Sequence, residues 1–382
     1  MEDKEFSGRC DSEIPAAFVL AAREGTTNLL GLLRLIAAGV ALCLAPALYG
    51  QSQTDTQTNG TQSISPVPIL SAGVAYNSFF NGGTHNVHPL VSPVVLIPFR
   101  QNWLVESRDT FEINLAPVPG MSGYKGALKK EVDYLQLDYI ANRYLTATAG
   151  RFLTPFDVYN ERLYPVWIRD LQTDPLILPI STGPSGAGTG AMVRGGFDAT
   201  PGIEINYATY FSTLSTDTPF DSQRMAGMRA GIFLPGPRVE FGGSFQHLLQ
   251  DDRTNAFGFH GAWQPPSLPL DVRAEYANSH EGSGYWVESA YRLSQVPVQH
   301  DVLRHVQVVG RMQRYFTGTV PDDRLPSVNT SLFEFGLNYY FRDDLRLVSS
   351  YGRQFAPQGG NMNIWNIGMT YRFVLPVGHG ST

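Results

Sequence analysis

The chain has 382 residues, a net charge of −6 and only 16% charged residues, so it lacks the basic surface that a nucleic-acid-binding protein requires. Aromatic residues make up 12% of the chain and glycine occurs 38 times, a composition typical of proteins built from many strands and turns. After residue 51, no stretch reaches the ~18 uninterrupted apolar residues of a transmembrane helix.

The first predicted element is an N-terminal export signal. Leu35–Ala45 is an apolar segment of the length found in secretory signals, Arg34 supplies positive charge before it, and Ala45–Ala47 (APA) matches a small-x-small cleavage site. We therefore predict that residues 1–50 comprise an N-terminal extension and a signal peptide, followed by a polar lead-in over 51–66. The alternative is an uncleaved transmembrane anchor.

Both cysteines of the sequence, Cys10 and Cys43, precede the predicted cleavage site. The mature chain would then have no disulfide, no thiolate metal site and no cysteine nucleophile. An exported chain of this size without disulfides fits a bacterial envelope better than an animal secretion.

From residue 67 onward the hydrophobic pattern has a period of two, which indicates β-strands. In Leu332–Phe341, for example, aromatic and leucine side chains alternate with Glu334, Gly336 and Asn338. Most of the sixteen predicted strands are close to the ~9–11 residues that cross a bilayer at a tilt. Their expected starts lie near Ile69, Val87, Asn102, Leu128, Arg143, Ala191, Gly202, Arg224, Arg238, Thr254, Leu268, Ser283, Val302, Thr330, Leu345 and Met362.

The predicted connections alternate between short turns and longer, more polar loops, as in a closed up-and-down barrel. Residues 67–376 are therefore predicted to form an all-β transmembrane up-and-down antiparallel β-barrel, followed by a C-terminal tail over 377–382. A soluble sandwich or β-helix would show the same alternation. Charged residues near the middle of most polar faces favour the membrane barrel, whose polar face lines a water-filled lumen while its apolar face contacts lipid.

The last strand illustrates this prediction. One of its faces is apolar and the other polar, so a shift of one residue would exchange lipid-facing and lumen-facing side chains. The residues predicted to face lipid are Trp365, Ile367, Met369 and Tyr371, and those predicted to face the lumen are Asn366, Thr370 and Arg372.

The longest predicted connection, Phe152–Gly190, lies between the fifth and sixth strands and is the third loop at the external end. Loops of this length are usually functional, and this one carries aromatic side chains that would be costly to expose to water. We expect it to fold into the lumen, which is wide enough in a barrel of sixteen strands. The charged residues expected at the resulting channel constriction are Asp157, Glu161, Arg162, Arg169 and Asp170.

This arrangement resembles the general and phosphate-selective porins of Gram-negative outer membranes. Gly150–Phe156 (GRFLTPF) is similar to a strand-end motif, G-x-F-x-x-P-F, of porin-like proteins, and Pro165–Trp167 (PVW) follows it. The resemblance implies an outer-membrane channel whose third loop sets its narrowest point, a possible homotrimer, and contacts with outer-membrane lipid and lipopolysaccharide. Porins usually end on an aromatic residue, whereas here Phe373 is followed by nine more residues.

The polar faces carry nearly balanced charges, and rings of fixed charge are what give a pore ion selectivity. Lys130 is the last lysine in the chain, so we do not predict phosphate selectivity, and the loop could equally stack on sugar rings. The residues predicted to line the lumen are Glu106, Arg108, Glu112, Arg229, Asp271, Arg273, Glu275, Arg311, Glu334, Arg346 and Arg372.

The sequence contains no catalytic motif, and we predict a non-enzymatic diffusion channel for small hydrophilic solutes or ions, without cofactor or bound metal. One alternative is a barrel lipase or protease, with His247 or His280 at the external rim paired with Asp251 or Ser279. Another is a soluble secreted carbohydrate-binding β protein.

Overall fold

The computed structural model describes residues 68–376, apart from short gaps at 82, 119–122, 183–185, 214–223, 251–252, 297–300, 320–322 and 358–359. The predicted N-terminal extension and signal peptide, the polar lead-in and the C-terminal tail lie outside the described residues and stay predictions. No helix among the described residues is long and apolar enough to cross a membrane.

The described chain forms one closed, antiparallel, sixteen-stranded β-barrel in which every strand pairs with its neighbours in sequence and β1 pairs with β16. The predicted fold class is therefore confirmed. The strands are β1 Ile69–Asn81, β2 Thr84–Phe99, β3 Trp103–Pro117, β4 Tyr124–Asn142, β5 Leu145–Leu153, β6 Ala187–Thr200, β7 Ile203–Thr213, β8 Arg224–Leu234, β9 Val239–Leu248, β10 Asn255–Trp263, β11 Leu270–Asn278, β12 Gly282–Arg292, β13 Val306–Thr317, β14 Thr330–Arg342, β15 Leu345–Phe355 and β16 Met362–Pro376.

Several predicted boundaries need correction. β2 begins at Thr84 instead of near Val87, and β4 at Tyr124 instead of near Leu128, because the pairing with the preceding strand extends to these residues. The long connection is shorter than predicted, because β5 continues to Leu153 and β6 already begins at Ala187, where the two strands pair. The thirteenth strand begins at Val306 instead of near Val302, because Asp301–Arg304 forms a helical turn that uses these residues before the ladder starts.

Alternation along the strands separates an apolar outer face from a polar inner face. On β16, Trp365 and Ile367 are 55% and 48% exposed, whereas Asn366 and Thr370 between and after them are 4% and 2% exposed. Exposed aromatic and aliphatic side chains occur on the outer faces of strands around the whole barrel. An outer face of this kind is stable against lipid and unfavourable in water, so the barrel is a transmembrane barrel.

The two ends of the barrel differ. At one end, here called the loop end, lie the connections from odd-numbered to even-numbered strands, including 154–186. The opposite end, here called the turn end, carries Ile69, Pro376 and mostly tight turns such as Asp343–Asp344. Short turns at the end that carries both termini are typical of outer-membrane barrels.

A β-bulge interrupts the pairing of β3 with β4. Arg108 pairs with Tyr134 and the next residue, Asp109, pairs with Val132, so that Asp133 has no partner residue in the ladder. The bulge redirects the Asp133 side chain into the lumen, where its carboxylate accepts a 2.8 Å hydrogen bond from Arg108 Nε.

Candidate functional site: a loop folded through the lumen

The segment 154–186, here called the lumen loop, enters the barrel from the loop end and packs its aromatic residues inside. Phe156 is fully buried, and Tyr159 stacks edge-on against Trp286 of β12 with their ring centroids 5.8 Å apart. These rings belong to an apolar cluster that also includes Ile177 and Tyr315. The expectation that the loop folds into the lumen is therefore confirmed, since its aromatic side chains form a hydrophobic core there.

The first polar anchor of the loop is Glu275 on β11. Its Oε1 accepts hydrogen bonds from the backbone N–H groups of Val158 and Tyr159, at 2.8 and 2.7 Å, and its Oε2 accepts one from Trp286 Nε1 at 3.0 Å. The carboxylate thus satisfies backbone donors that would otherwise be buried without partners, which fixes the start of the helical turn Tyr159–Leu163.

The second anchor consists of ion pairs between the loop and the wall. Arg162 binds both carboxylate oxygens of Glu240 on β9, at 2.6 and 2.9 Å, and Glu161 pairs with Arg229 on β8. A bidentate arginine–carboxylate pair of this kind combines charge with two parallel hydrogen bonds, which makes the interaction strongly directional. The Arg162 side chain still remains 42% exposed to the lumen.

The third anchor holds the far part of the loop. Arg311 on β13 binds Glu334 on β14 at 2.6 Å and donates a 2.7 Å hydrogen bond to the carbonyl oxygen of Thr173. Gln313 donates to the same Glu334 carboxylate at 2.8 Å and accepts the Leu176 N–H at 2.7 Å. The buried charge pair and the amide side chain therefore attach the loop to the wall opposite its point of entry.

The fourth anchor surrounds Asp170. Its two carboxylate oxygens each lie 3.6 Å from a guanidinium, one from Arg273 and the other from Arg346. Asn338 donates a 2.8 Å hydrogen bond to the Asp170 carbonyl, and Arg346 also donates to the carbonyl of Arg169. Strands β11, β14 and β15 therefore hold the loop at a single point.

Inside the barrel, a cavity of about 300 Å³ or more lies on each side of the loop. The loop-end chamber has a volume of about 340 Å³ and lies between the loop and strands β1–β4. The turn-end chamber has a volume of about 300 Å³ and is bounded by the loop and by strands β11 and β13–β16. The loop-end chamber is lined by Asn77, Phe79, His88, Leu90, Ser92, Arg108, Thr110, Glu112, Lys129, Asp133, Tyr164, Pro165, Val166, Trp167, Arg169, Gln172, Thr173 and Asp174.

The charges of the loop-end chamber largely compensate one another. His88 Nδ1 lies 2.6 Å from Glu112, and Arg169 pairs with Asp174. Arg108, besides pairing with Asp133, lies over the rings of Tyr134 and Tyr164, at 5.0 and 5.6 Å from their centroids. Burial raises the pKa of Tyr164 above its usual range, so this ring is neutral at physiological pH. The chamber therefore presents paired charges, hydroxyls and aromatic faces to a solute.

The five residues predicted for the constriction occupy different environments. Asp157 is fully buried against the wall, where Gly258 leaves room for its carboxylate, so this residue does not border the passage. Asp170 is 5% exposed and held at the fourth anchor. Glu161 and Arg162 form the second anchor, and Arg169 borders the loop-end chamber. The role of the other four residues at a constriction stays a prediction.

The residues predicted to line the lumen differ in exposure, and their role as a lining stays a prediction. Those beneath the loop are covered by it, because the loop crosses the wall from β8 to β15. The buried members are Arg108, Arg229, Glu275, Arg311, Glu334 and Arg346, the partly exposed members are Glu106, Glu112, Asp271 and Arg273, and the exposed member is Arg372 at the turn end. The partly exposed and exposed members are the most open to a passing solute, and of the buried members Arg108 and Arg346 still border a chamber.

Sequence analysis missed three residues that shape the site. His88 could have been found, because it shares the inner face of β2 with Leu90 and Ser92. Asp133 was hidden by the bulge, which changes the parity of β4. Trp167 lines both chambers, but nothing in an irregular loop indicates which aromatic side chain will border open space.

Two of the residues considered for an enzymatic site make hydrogen bonds with residues outside that set. His247 Nδ1 lies 2.7 Å from Asn255 Oδ1, and Ser279 Oγ accepts a 3.1 Å hydrogen bond from the backbone N–H of Glu281. Asp251 lies outside the described residues. Within the described part of the chain, no group of three or more His, Cys, Asp and Glu side chains could hold a metal ion.

The sequence matches no family model and no curated protein, whereas the fold is similar to solved outer-membrane proteins. OprB of Pseudomonas putida superimposes with a TM-score of 0.56 at 10% identity, covering 81% of this chain and 94% of that one. OmpF of Salmonella typhi gives 0.55 at 8% identity, covering 81% and 98%. OmpT of Vibrio cholerae, an outer membrane protein, gives 0.53 at 12% identity, covering 81% and 99%. At these identities the similarity concerns the fold.

Proposed function

We propose that this chain, a sixteen-stranded barrel with a porin-like fold, is a channel of a Gram-negative outer membrane that lets small hydrophilic solutes or ions diffuse passively. The main support is the pair of polar chambers on either side of the lumen loop, inside a barrel whose outer face is apolar. A barrel of this kind places a hydrated path across the hydrocarbon layer.

The charge pattern supports a channel of weak ion selectivity. In the loop-end chamber, the three cations Arg108, Lys129 and Arg169 are matched in number by the three carboxylates Glu112, Asp133 and Asp174. The turn-end chamber has four aspartates against three arginines. Because neither sign prevails strongly, the electrostatic preference for anions or cations should be small.

Conductance of the purified protein in a planar bilayer tests the proposed function. We expect discrete steps in KCl solutions and a small reversal potential across a KCl gradient. The same preparation after heat denaturation is the control for contaminants. A correctly folded barrel that gives no steps above this control would contradict the proposal.

The homotrimer implied by the resemblance, and contacts with lipopolysaccharide, are also part of the proposal. The outer face between β1 and β14–β16 carries an apolar depression lined by Phe80, Phe335, Trp365 and Ile367, a kind of surface that packs against lipid or another subunit. Chemical cross-linking in native membranes, followed by mass measurement, distinguishes a trimer from a monomer.

A further inference from the structure

Trp167 is the side chain at which the two lumen chambers meet. It belongs to the lining of the loop-end chamber and to that of the turn-end chamber. Its neighbours in sequence divide between the two sides, with Val166 in the first lining and Ile168 in the second. A solute that moves from one chamber to the other along the loop therefore passes this indole ring.

The Trp167 ring is seated on β1. A Cβ atom built on Gly73 would lie 1.8 Å from Cε3 of Trp167, a distance that is sterically impossible, so the ring occupies the space that any other residue at 73 would fill. Gly73 pairs with Ser92 of β2 and Arg372 of β16, within the continuous ladder of the wall. The absence of a side chain at Gly73 thus lets the indole extend from the loop to the backbone of β1.

The backbone that carries Trp167 is fixed on both sides. The carbonyl of Pro165 accepts hydrogen bonds from the N–H groups of Ile168 and Arg169, at 2.9 and 3.3 Å, which closes a tight turn. Arg346 of β15 donates hydrogen bonds to the carbonyls of Val166, at 3.4 Å, and Arg169. With the turn held in this way, the indole can move only by rotating about its own side-chain bonds.

We propose that Trp167 is the size-limiting residue of the channel, with Gly73 as its seat, so that an uncharged aromatic ring and not a charged pair sets the largest solute that passes between the chambers. This inference rests on the proposed function, because it assigns the narrowest point of the same path. It also separates two properties, since Trp167 would determine size exclusion while the charged residues of the linings determine ion preference.

Two measurements on the purified full-length protein test the inference. Trp167→Ala should raise single-channel conductance at least about twofold and raise the swelling rate of proteoliposomes in a trisaccharide relative to a monosaccharide, because removing the indole widens the passage. Trp263→Ala is the matched control, since Trp263 is 43% exposed among the outward-facing residues of the barrel and its loss should leave both quantities unchanged.

A thiol-labelling experiment keeps the inference testable if the alanine variant folds poorly. The only cysteines of the sequence, Cys10 and Cys43, precede the barrel. In Trp167→Cys, a charged methanethiosulfonate reagent added to an open channel should lower the conductance by about half, whereas Trp263→Cys should show no change. Gly73→Ala should also alter conductance, because the new Cβ displaces the ring.

The outcomes separate this inference from the proposed function. If the wild-type protein gives no channels, the proposed function fails. If the wild-type protein conducts but the variants at 167 and 73 keep its conductance, its trisaccharide exclusion and its insensitivity to the thiol reagent, then Trp167 does not limit the passage and the inference is wrong.

Discussion

Arg311 shows how single buried charges hold the lumen loop in place. Its side chain is 1% exposed and that of its partner Glu334 is 0% exposed, and the same guanidinium binds the carbonyl of Thr173. A buried pair of this kind adds little net stability compared with apolar residues, but removing one member leaves the other charge buried without compensation. The pair therefore matters most for the position of the loop.

Arg311→Ala should lower the free energy of unfolding by about 3–5 kcal/mol, because it leaves the Glu334 carboxylate buried and unpaired. Urea-dependent unfolding in detergent micelles measures this change. Arg342→Ala is the control: its partner Asp344 lies in an exposed turn, and the loss should stay below about 1 kcal/mol. Equal losses in the two variants would contradict the assigned role of Arg311.

The outer face of β16 provides a test of which side of the barrel faces lipid. Ile367 is 48% exposed and lies between Trp365 and Met369 on this face. Ile367→Arg should cost about 2–4 kcal/mol if the position lies near the middle of the membrane. Ile367→Leu should cost less than about 1.5 kcal/mol. Folding titrations in lipid vesicles compare the two, and tolerance of arginine would show that this face does not contact hydrocarbon.

Arg162 is more exposed than Arg169, the other arginine of the lumen loop. Arg162→Ala should shift the reversal potential in a KCl gradient toward cation selectivity, because it removes a positive charge and frees the carboxylate of Glu240 beside it. Arg253→Ala, at an exposed position between β9 and β10, should produce a smaller shift. An equal shift for both variants would mean that Arg162 does not lie beside the conducting path.

At the scale of elements, the lumen loop divides a single wide barrel into two chambers. The segment Tyr164–Asp174 supplies the loop residues of the loop-end chamber and, through Trp167, Ile168 and Asp170, those of the turn-end chamber. Its contacts reach β1, β11 and β13–β15, so the loop braces the barrel across its diameter.

Replacing Tyr164–Asp174 by a glycine–serine linker of the same length should raise single-channel conductance at least about twofold, since the linker lacks the side chains that hold the segment inside the lumen. Planar-bilayer recordings measure the change. A linker of the same design between Phe355 of β15 and Met362 of β16 is the control. If conductance is unchanged in a folded variant, the segment does not obstruct the path.

The strands could be predicted because the alternation that indicates each strand lies within the strand's own residues. In β14 and β16 the alternation of large apolar and polar residues determines both the secondary structure and the face, and the starts at Thr330, Leu345 and Met362 coincide with the prediction. The shorter lumen loop was missed for a local reason too, since Ala187–Gly190 is too rich in glycine to show alternation.

The arrangement of the site could not be predicted from the sequence in the same way. Its bonds join residues far apart in the chain, such as Asp157 with Ser244 and Thr173 with Arg311. Strand parity indicates that Glu275 projects inward, but not that a loop more than a hundred residues earlier will bury it. Strand parity therefore predicts which way a charged side chain points, but it does not predict its pairing partner.

At the scale of the whole molecule, we predict that export depends on the segment before the barrel. We expect the mature protein to begin between Leu48 and Gln53, because the apolar segment and the APA site match a cleaved secretory signal. N-terminal sequencing of protein isolated from outer membranes checks this. Retention of residues 29–47 would instead indicate a membrane anchor.

The ladder that joins β1 to β16 has a consequence for how the molecule is made. It runs from Ile69 opposite Pro376 to Asn81 opposite Ile364, so it pairs the two strands that are farthest apart in sequence. Pairing at such sequence separation is entropically costly and slow. Until β16 has been synthesised and delivered, β1 and β15 expose unpaired backbone edges that favour aggregation. The chain must therefore be kept unfolded during transit, and a chain truncated before Met362 would be a target for proteolysis instead of a smaller pore.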